Sequence, residues 1–510
     1  MTTGDKHNDD EAVNRNSLAP VAALQQFYDE LDLMSPEEYA LKEKKLVRKI
    51  DLRLMPLLFL MIVMNYLDRN ALANARIQGI EKSLHLHGTQ FNTAISVLFA
   101  GYLALQIPSN MIITKVRPSI YLPSCMIVWG VVSGMTAVVK DFHGLVVVRF
   151  FLGFVEAPYF PGALFLLSSW YTRKELALRT SILYTGSLLS SGFGGLIGAG
   201  VQHGLDGARG IASWRWLFVI DGAITVFIAI TALFILPDYP HTTKFLSGEE
   251  KAIATRRLET SSGTNDTERG SLLSGLKMAL VDYKVWLLAL IVITKTSAGA
   301  VTSFIPTLVA TLGYNQVNTL LLVAPPYVFA AITALAVSYS SDQRGERCYH
   351  IMVPIFFGMV GFIIAATTLN FTARYISLFL MLAGVYGSYN VALAWISSTL
   401  PRPIEKRAAA IALVNTVGNL AQIYSPYLYP STDGPRYLNA MIANACFCVG
   451  CAAVTFTLRL CLVNENKALA VTEREFANGL QEEKVVVEEI PYVSNPEVFA
   501  AHTPGFRYAL

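Results

Sequence analysis

The chain has 510 residues, of which 53% are hydrophobic and only 15% charged, with a net charge of +3 and a mean hydropathy of +0.44. Soluble domains carry about 25% charged residues, so the composition excludes an ordinary soluble protein and points to the membrane class. The small net charge, without a dense basic patch, gives no reason to expect nucleic acid as a partner.

Residues 1–50 begin MTTGDKHNDDEAVNRN and lack the apolar core of a secretory signal, so they read as a cytoplasmic tail. Within them, MSPEEYALKEKKLVRKI has Ser35 at a cap, Pro36 in the first helical position and Glu38 three residues on, which predicts a solvated helix. A span needs about 20 mostly apolar residues. Candidates lie near 54–73, 90–114, 119–139, 144–167, 178–201, 215–236, 284–312, 318–339, 351–370, 374–398, 407–429 and 438–462. The expected fold is an all-α membrane protein with twelve transmembrane helices in two six-helix bundles, 51–236 and 284–462. The polar stretch 237–283 separates them as a cytoplasmic loop, with a second helix start at Ser247 and Glu250. Residues 463–510 are expected to form a cytoplasmic tail, at least partly disordered.

A weak internal repeat supports the division. RFFLGFVEAPYFPGALFLLSSWY in the first half resembles LFLMLAGVYGSYNVALAWISSTL in the second, and each precedes a charged loop and a small-residue span. Lys and Arg crowd into LKEKKLVRKIDLR and into loops near 115–117, 173–179, 244–284, 342–347 and 402–407, which places both termini inside. Arg76, Lys82, Arg209 and Arg215 on outer loops weaken the contrast.

Charges inside a membrane are costly and mark function. Asp68 and Arg69 close the first span. Arg149 and Glu156 lie seven residues apart on one face of the fourth, close to two helical turns. Lys295 sits within IVITKTSAGAVTSF, and Tyr386, Tyr389, Asn390, Trp395, Asn415, Asn419 and Gln422 gather in the tenth and eleventh spans. Arg149 and Lys295 would make a central site positive, suited to an anion or zwitterion. Asp68 and Glu156 could carry a proton, because burial and a neighbouring arginine push a carboxylate in opposite directions. Each group also has a structural explanation. Arg149 and Glu156 could form an ion pair that fixes packing, Asp68 and Arg69 could lie in the outer mouth, Lys295 could snorkel, and the asparagines could tie helices together.

Four of the six cysteines fall in NACFCVGCAAVTFTLRLC (Cys446, Cys448, Cys451 and Cys461), the others being Cys125 and Cys348. No His, Asp or Glu accompanies the four, so soft apolar packing is expected rather than a metal site or disulfide framework. TGSLLSSGFGGLIGAG (185–200) lacks the Lys-Ser/Thr of a phosphate loop and reads as a smooth face for helix sliding. No catalytic triad, metal-ligand cluster or nucleotide motif appears, which argues against an enzyme or an ATP-driven pump and leaves no cofactor to expect.

SYSSDQRGER (338–347) resembles the loop signature of the major facilitator superfamily, with Asp342, Arg344, Gly345 and Arg347 in its acidic, glycine and basic places. The equivalent first-half loop, NMIITKVRPS, lacks the aspartate. LVVVRFFLGFVEA resembles the superfamily's fourth-helix pattern with Arg149 and Gly153. NYLDRNALANAR, QIPSNMIITKVRPSIYLP, RFFLGFVEAPYFPG, SWRWLFVIDG and WISSTLPRPIEKRAAAIALVNTVGNLAQIYSPYLYP together resemble the fungal anion:cation symporter family, which includes allantoate, nicotinate and pantothenate permeases. The resemblance covers roughly residues 50–465. It implies two bundles around a central cavity, proton-coupled uptake of an organic anion, and a conformational latch at Asp342, Arg344 and Arg347; Lys295 maps onto none of its motifs.

The expected function is therefore secondary active transport by a monomer in the plasma membrane. Its partners would be protons, the lipid bilayer and a small organic anion such as a vitamin-like carboxylate or ureide. The anion would be held by Arg149, Lys295, Tyr386, Asn390, Asn415 and Asn419, with protons on Asp68 and Glu156. Export of a fungal secondary metabolite, or a non-transporting nutrient sensor, are the alternatives.

Overall fold

The computed structural model describes residues 33–113, 116–240, 242–262, 272–400 and 404–477, with 27, 31, 508 and 509. Most of the expected tails, 1–26 and 478–507, lie outside the described residues. The described residues are helical, with no strand among them. The first half contains α1 (Pro36–Ile77), α2 (Gln90–Ile113), α3 (Pro118–Met135), α4 (Phe142–Glu156), α5 (Tyr159–Ser168), α6 (Arg173–Leu205) and α7 (Ser213–Ile235). The connection holds α8 (Gly248–Ser262) and α9 (Leu272–Val281). The second half contains α10 (Tyr283–Gly299), α11 (Ile305–Ala310), α12 (Gln316–Arg344), α13 (Cys348–Thr367), α14 (Phe371–Gly387), α15 (Tyr389–Thr399), α16 (Ile404–Tyr424) and α17 (Leu438–Ala477).

Ten stretches are long and apolar enough to cross a membrane, α4–α5, α10–α11 and α14–α15 each counting as one interrupted span. The two remaining positions of the twelve belong to α2 and α16, of 24 and 21 residues. They face each other across the centre: α2 packs on α16, α6 on α12 and α1 on α11, joining the halves. Outward, Phe227, Phe234, Ile332 and Phe356 are exposed apolar side chains, an arrangement that costs free energy in water and none in lipid.

Local sequence explains the details. Ser35 accepts from the Glu38 amide at 3.2 Å, with Pro36 in the first turn, and α1 then runs unbroken from the expected cytoplasmic helix into the first span. At α8 the capping box closes, with Glu250 N–H donating to Ser247 Oγ at 3.2 Å and Ser247 N–H to Glu250 Oε2 at 2.9 Å. The expected loop at 173–179 is instead the first turns of α6, started by a box between Thr172 and Glu175. At the ends that the basic loops place inside, α1 and α8 clasp through Lys42–Glu249 and Lys49–Glu250, both 2.7 Å. Arg257, 4% exposed, reaches Glu175 at 2.8 Å and the Trp170 carbonyl at 3.0 Å. On the second half, the Trp395 indole N–H donates to the Ala509 carbonyl at 2.9 Å, so this residue anchors the end of the chain rather than the centre.

The halves close against each other at the ends that the basic loops place outside. Asn92 Nδ2 donates to the carbonyls of Pro426 and Tyr429 at 2.5 and 3.1 Å, and Arg76 Nη1 donates to Thr307 Oγ1 at 3.3 Å. The glycine-rich run of α6 lies on α12: a Cβ on Gly195 would stand 2.7 Å from the Leu320 carbonyl oxygen. Gly153 is constrained in the same way, since a Cβ there would overlap the Leu98 carbonyl of α2.

Candidate functional site

A cavity of ≈ 130 Å³ lies between the halves. Tyr66, Arg69, Asn70, Tyr102, Tyr184 and Ser191 line it from the first half. From the second come Lys295, Tyr386, Tyr389 and Asn390, with Asn415, Asn419 and Gln422 of α16. Three spans are interrupted beside it. α4 ends at Glu156 before Pro158, residues 300–304 form a 3-10 segment, and Ser388 separates α14 from α15. Such breaks free backbone groups, which membrane proteins tolerate where the chain lines a cavity.

The cationic wall of the first half is Arg69. Its Nε and Nη2 donate to Glu156 Oε2 at 3.1 and 3.0 Å. Its guanidinium also sits 5.0 Å from the ring centres of both Tyr66 and Tyr102 and 5.7 Å from that of Phe99. Glu156 does not use Nη1, so one edge of the fork remains for the Tyr102 hydroxyl beside it or for a ligand. Glu156 is fully buried behind it, and its Oε1 is unpartnered.

Arg149 is placed differently from the expectation that it holds cargo. It does not line the cavity. Its Nε donates to the Ala94 carbonyl at 3.3 Å and its Nη2 to the Arg69 carbonyl at 3.1 Å, tying α4 to α2 and α1. Nor does it form an ion pair with Glu156. Two turns of helix separate the residues by roughly 10 Å, and the carboxylate goes to Arg69 instead. Asp68 also points away from the cavity, accepting from Ser133 Oγ at 2.7 Å and Thr225 Oγ1 at 2.8 Å. Neighbours on a helix point about 100° apart, so Asp68 faces α3 and α7 while Arg69 faces the cavity. Asp68 is buried and Arg69, 12% exposed, lines the cavity, so neither lies in an outer mouth.

Lys295 is fully buried, and its Nζ donates to Ser388 Oγ at 2.5 Å. It does not snorkel. Tyr386, Asn390, Asn415 and Asn419 line the cavity with it, and the Tyr386 hydroxyl donates to the Gly299 carbonyl at 3.1 Å. The aromatic belt crosses between halves, with Tyr184 5.9 Å from Tyr389. The loop residues Asp342, Arg344 and Arg347 are remote from the cavity at the C-terminal end of α12. Arg347 Nη1 donates to Asp342 Oδ1 at 2.6 Å, Gly345 ends the helix at φ 63°, and Arg344 is exposed. The cysteines are free, and no group of metal-binding side chains occurs among the described residues.

Sequence inspection missed Tyr66, Asn70, Tyr184 and Ser191 on the wall, and an acid on α7, Asp221, buried with both carboxyl oxygens unpartnered. A signal for the first two existed: Tyr66, Arg69 and Asn70 fall at i, i+3 and i+4, one face of α1. Asn70 Nδ2 donates to Ser191 Oγ of α6 at 2.9 Å.

Two helical bundles around a central polar cavity, with interrupted helices at its walls, define a membrane transporter of the alternating-access type. The chain belongs to the Major Facilitator Superfamily, whose pattern matches residues 58–426. It is 35% identical over 410 residues to the MFS-type transporter cnsO of Penicillium expansum, covering 77% of this chain and 78% of that one. It is 30% identical over 416 residues to the major facilitator-type transporter hxnP of Emericella nidulans, covering 80% and 83%. Among solved structures, a bacterial homologue of the human lysosomal transporter Spinster, inward-facing and unoccupied, superposes with a TM-score of 0.65 at 16% identity, covering 79% of this chain and 96% of that one. The xylose transporter XylE from E. coli gives 0.62 at 12% identity, covering 80% and 98%.

Proposed function

We propose that the protein imports a small organic anion together with protons across the plasma membrane, each monomer holding a complete site. The observation that carries this is the charge on the cavity wall: it presents two cations, Arg69 and Lys295, one from each half, and no carboxylate among the described residues. Such a wall attracts anions and repels cations. The motif resemblance to fungal anion:cation symporters supports the same conclusion.

Glu156 supplies the coupling group. Its buried carboxylate holds two of the five guanidinium donors of Arg69. A proton taken up on the free Oε1 cancels the charge that holds the fork and releases it toward the cavity. Tyr386, Asn390, Asn415 and Asn419 then offer hydrogen bonds to the cargo. Asp68 and Arg149, turned away from the cavity, hold α1, α2, α3, α4 and α7 in register around the switch. The Arg347–Asp342 pair acts as a latch at the inner ends during rocking. The cargo class is tested by growth rescue of permease-deficient yeast on carboxylates and ureides as sole nutrient sources. Rescue by one such compound, lost in Arg69→Gln, is expected. Growth on none of them, together with loss of a labelled metabolite from cells expressing the protein, would instead indicate export.

A further inference from the structure

Charge is distributed unequally between the halves. In the middle of its spans the first half carries Asp68, Arg69, Arg149, Glu156 and Asp221, whereas the second half carries Lys295 alone, its other charged residues lying near the ends of α10–α16 or in α17 from Arg459 onward, level with Tyr349 at the start of α13. The first half surrounds its cations with carboxylates. Arg69 is paired with Glu156, and Arg149, though bonded only to two backbone carbonyls and with its Nη1 unpartnered, lies in the field of Glu156 and Asp68. Lys295 has no such match. Its one hydrogen-bond partner among the described residues is the neutral Ser388 hydroxyl at 2.5 Å, and no carboxylate there lies within ion-pair distance. The titratable groups acting on it are the thiols of Cys451 and Cys448.

A buried ammonium without a counter-ion is among the most costly arrangements in a protein interior. Such a group either gives up its proton or is neutralised by something outside the chain. Arg69 has no comparable need, because Glu156 and three ring faces already stabilise it. We propose that the halves divide the chemistry: the first half holds the exchangeable proton, and Lys295, alone in the second half, reads the single negative charge of a monoanionic cargo. A neutral analogue of the same shape leaves the ammonium unpaired, so the site rejects it. This rests on anion transport as proposed above, and narrows the cargo to small monoanions, such as monocarboxylates, with Lys295 as the specificity-determining residue.

The test uses the purified full chain in detergent and reads thermal stabilisation by small monocarboxylates, each paired with its neutral amide. Wild type and Lys295→Arg are expected to bind the carboxylate at least tenfold more tightly than the amide. Lys295→Met and Lys295→Gln are expected to bring the pair within about threefold. Without ligand, Lys295→Met should melt higher than wild type, because an uncompensated charge has been removed; that readout also shows that the variant is folded. A carboxylate preference that survives in both neutral variants would overturn the assignment of Lys295 while leaving anion transport standing. A wild-type protein that prefers amides, or binds neither series, would overturn anion transport itself and this proposal with it.

Discussion

Replacing Glu156 by Gln isolates the proposed coupling step. The side chain keeps nearly the same shape and one acceptor for Arg69, but loses the charge and the site for a proton. The pair it disrupts is buried, with Arg69 12% and Glu156 0% exposed at 3.0 Å. Removing one partner of such a pair costs about 3–5 kcal/mol, so the variant should melt measurably lower than wild type. The functional consequence can be sized separately. One proton per cargo molecule transmits about 1.36 kcal/mol for each pH unit, which corresponds to roughly tenfold accumulation. In proteoliposomes with the interior one pH unit more alkaline, wild type should concentrate a labelled carboxylate about tenfold. Glu156→Gln should only equilibrate it, to a ratio near one, while still exchanging labelled for unlabelled cargo at a reduced rate. If Glu156→Gln accumulates cargo against its gradient as wild type does, Glu156 is not the coupling carboxylate.

Three further outcomes follow from contacts elsewhere. Gly195→Val places a side chain 2.7 Å from the Leu320 carbonyl oxygen; overpacking of this kind costs about 1–3 kcal/mol, read as a lower melting temperature and slower exchange. Asn92→Ala removes the bonds from α2 to the Pro426 and Tyr429 carbonyls that seal the outer side. Leaving them unsatisfied shifts the closed state by about 1–3 kcal/mol. Ser303 also lines the cavity, so Ser303→Cys should react with an impermeant outside reagent roughly 5- to 150-fold faster in the Asn92→Ala background. Arg257→Ala deletes the bonds to Glu175 and the Trp170 carbonyl; a charged hydrogen bond contributes about 1.5–3 kcal/mol, so thermal stability should fall by an amount in that range, and Arg257→Lys should restore part of it.

The spans were legible because a bilayer imposes a length and an apolar composition that few other settings do. The helix starts at Ser35 and Ser247 were legible because capping depends on residues three positions apart. The rotation of each helix was not. Arg149 and Glu156 do share a face of α4, but that face looks toward α1 and α2 rather than into the cavity. Asp68 and Arg69 could be recognised as unusual, yet which of the two adjacent residues meets the cavity depends on how α1 is turned by packing against α6 and α7. The interruption at 157–158 carries a signal in Pro158. The one at 388 is held by a tertiary contact, Lys295 to Ser388, that no local motif announces. Lys295 was found by composition alone, since a lysine in the middle of an apolar span needs no partner to be noticed.

In the transport cycle proposed above, a proton and an organic anion cross together through the cavity between Arg69 and Lys295. Simultaneous recording of carboxylate uptake and proton movement in vesicles containing the wild-type chain tests it most directly. An inwardly directed proton gradient is expected to drive uptake, each carboxylate entering with at least one proton, and a protonophore to abolish accumulation. Uptake at the same rate and to the same level with or without the gradient would contradict it.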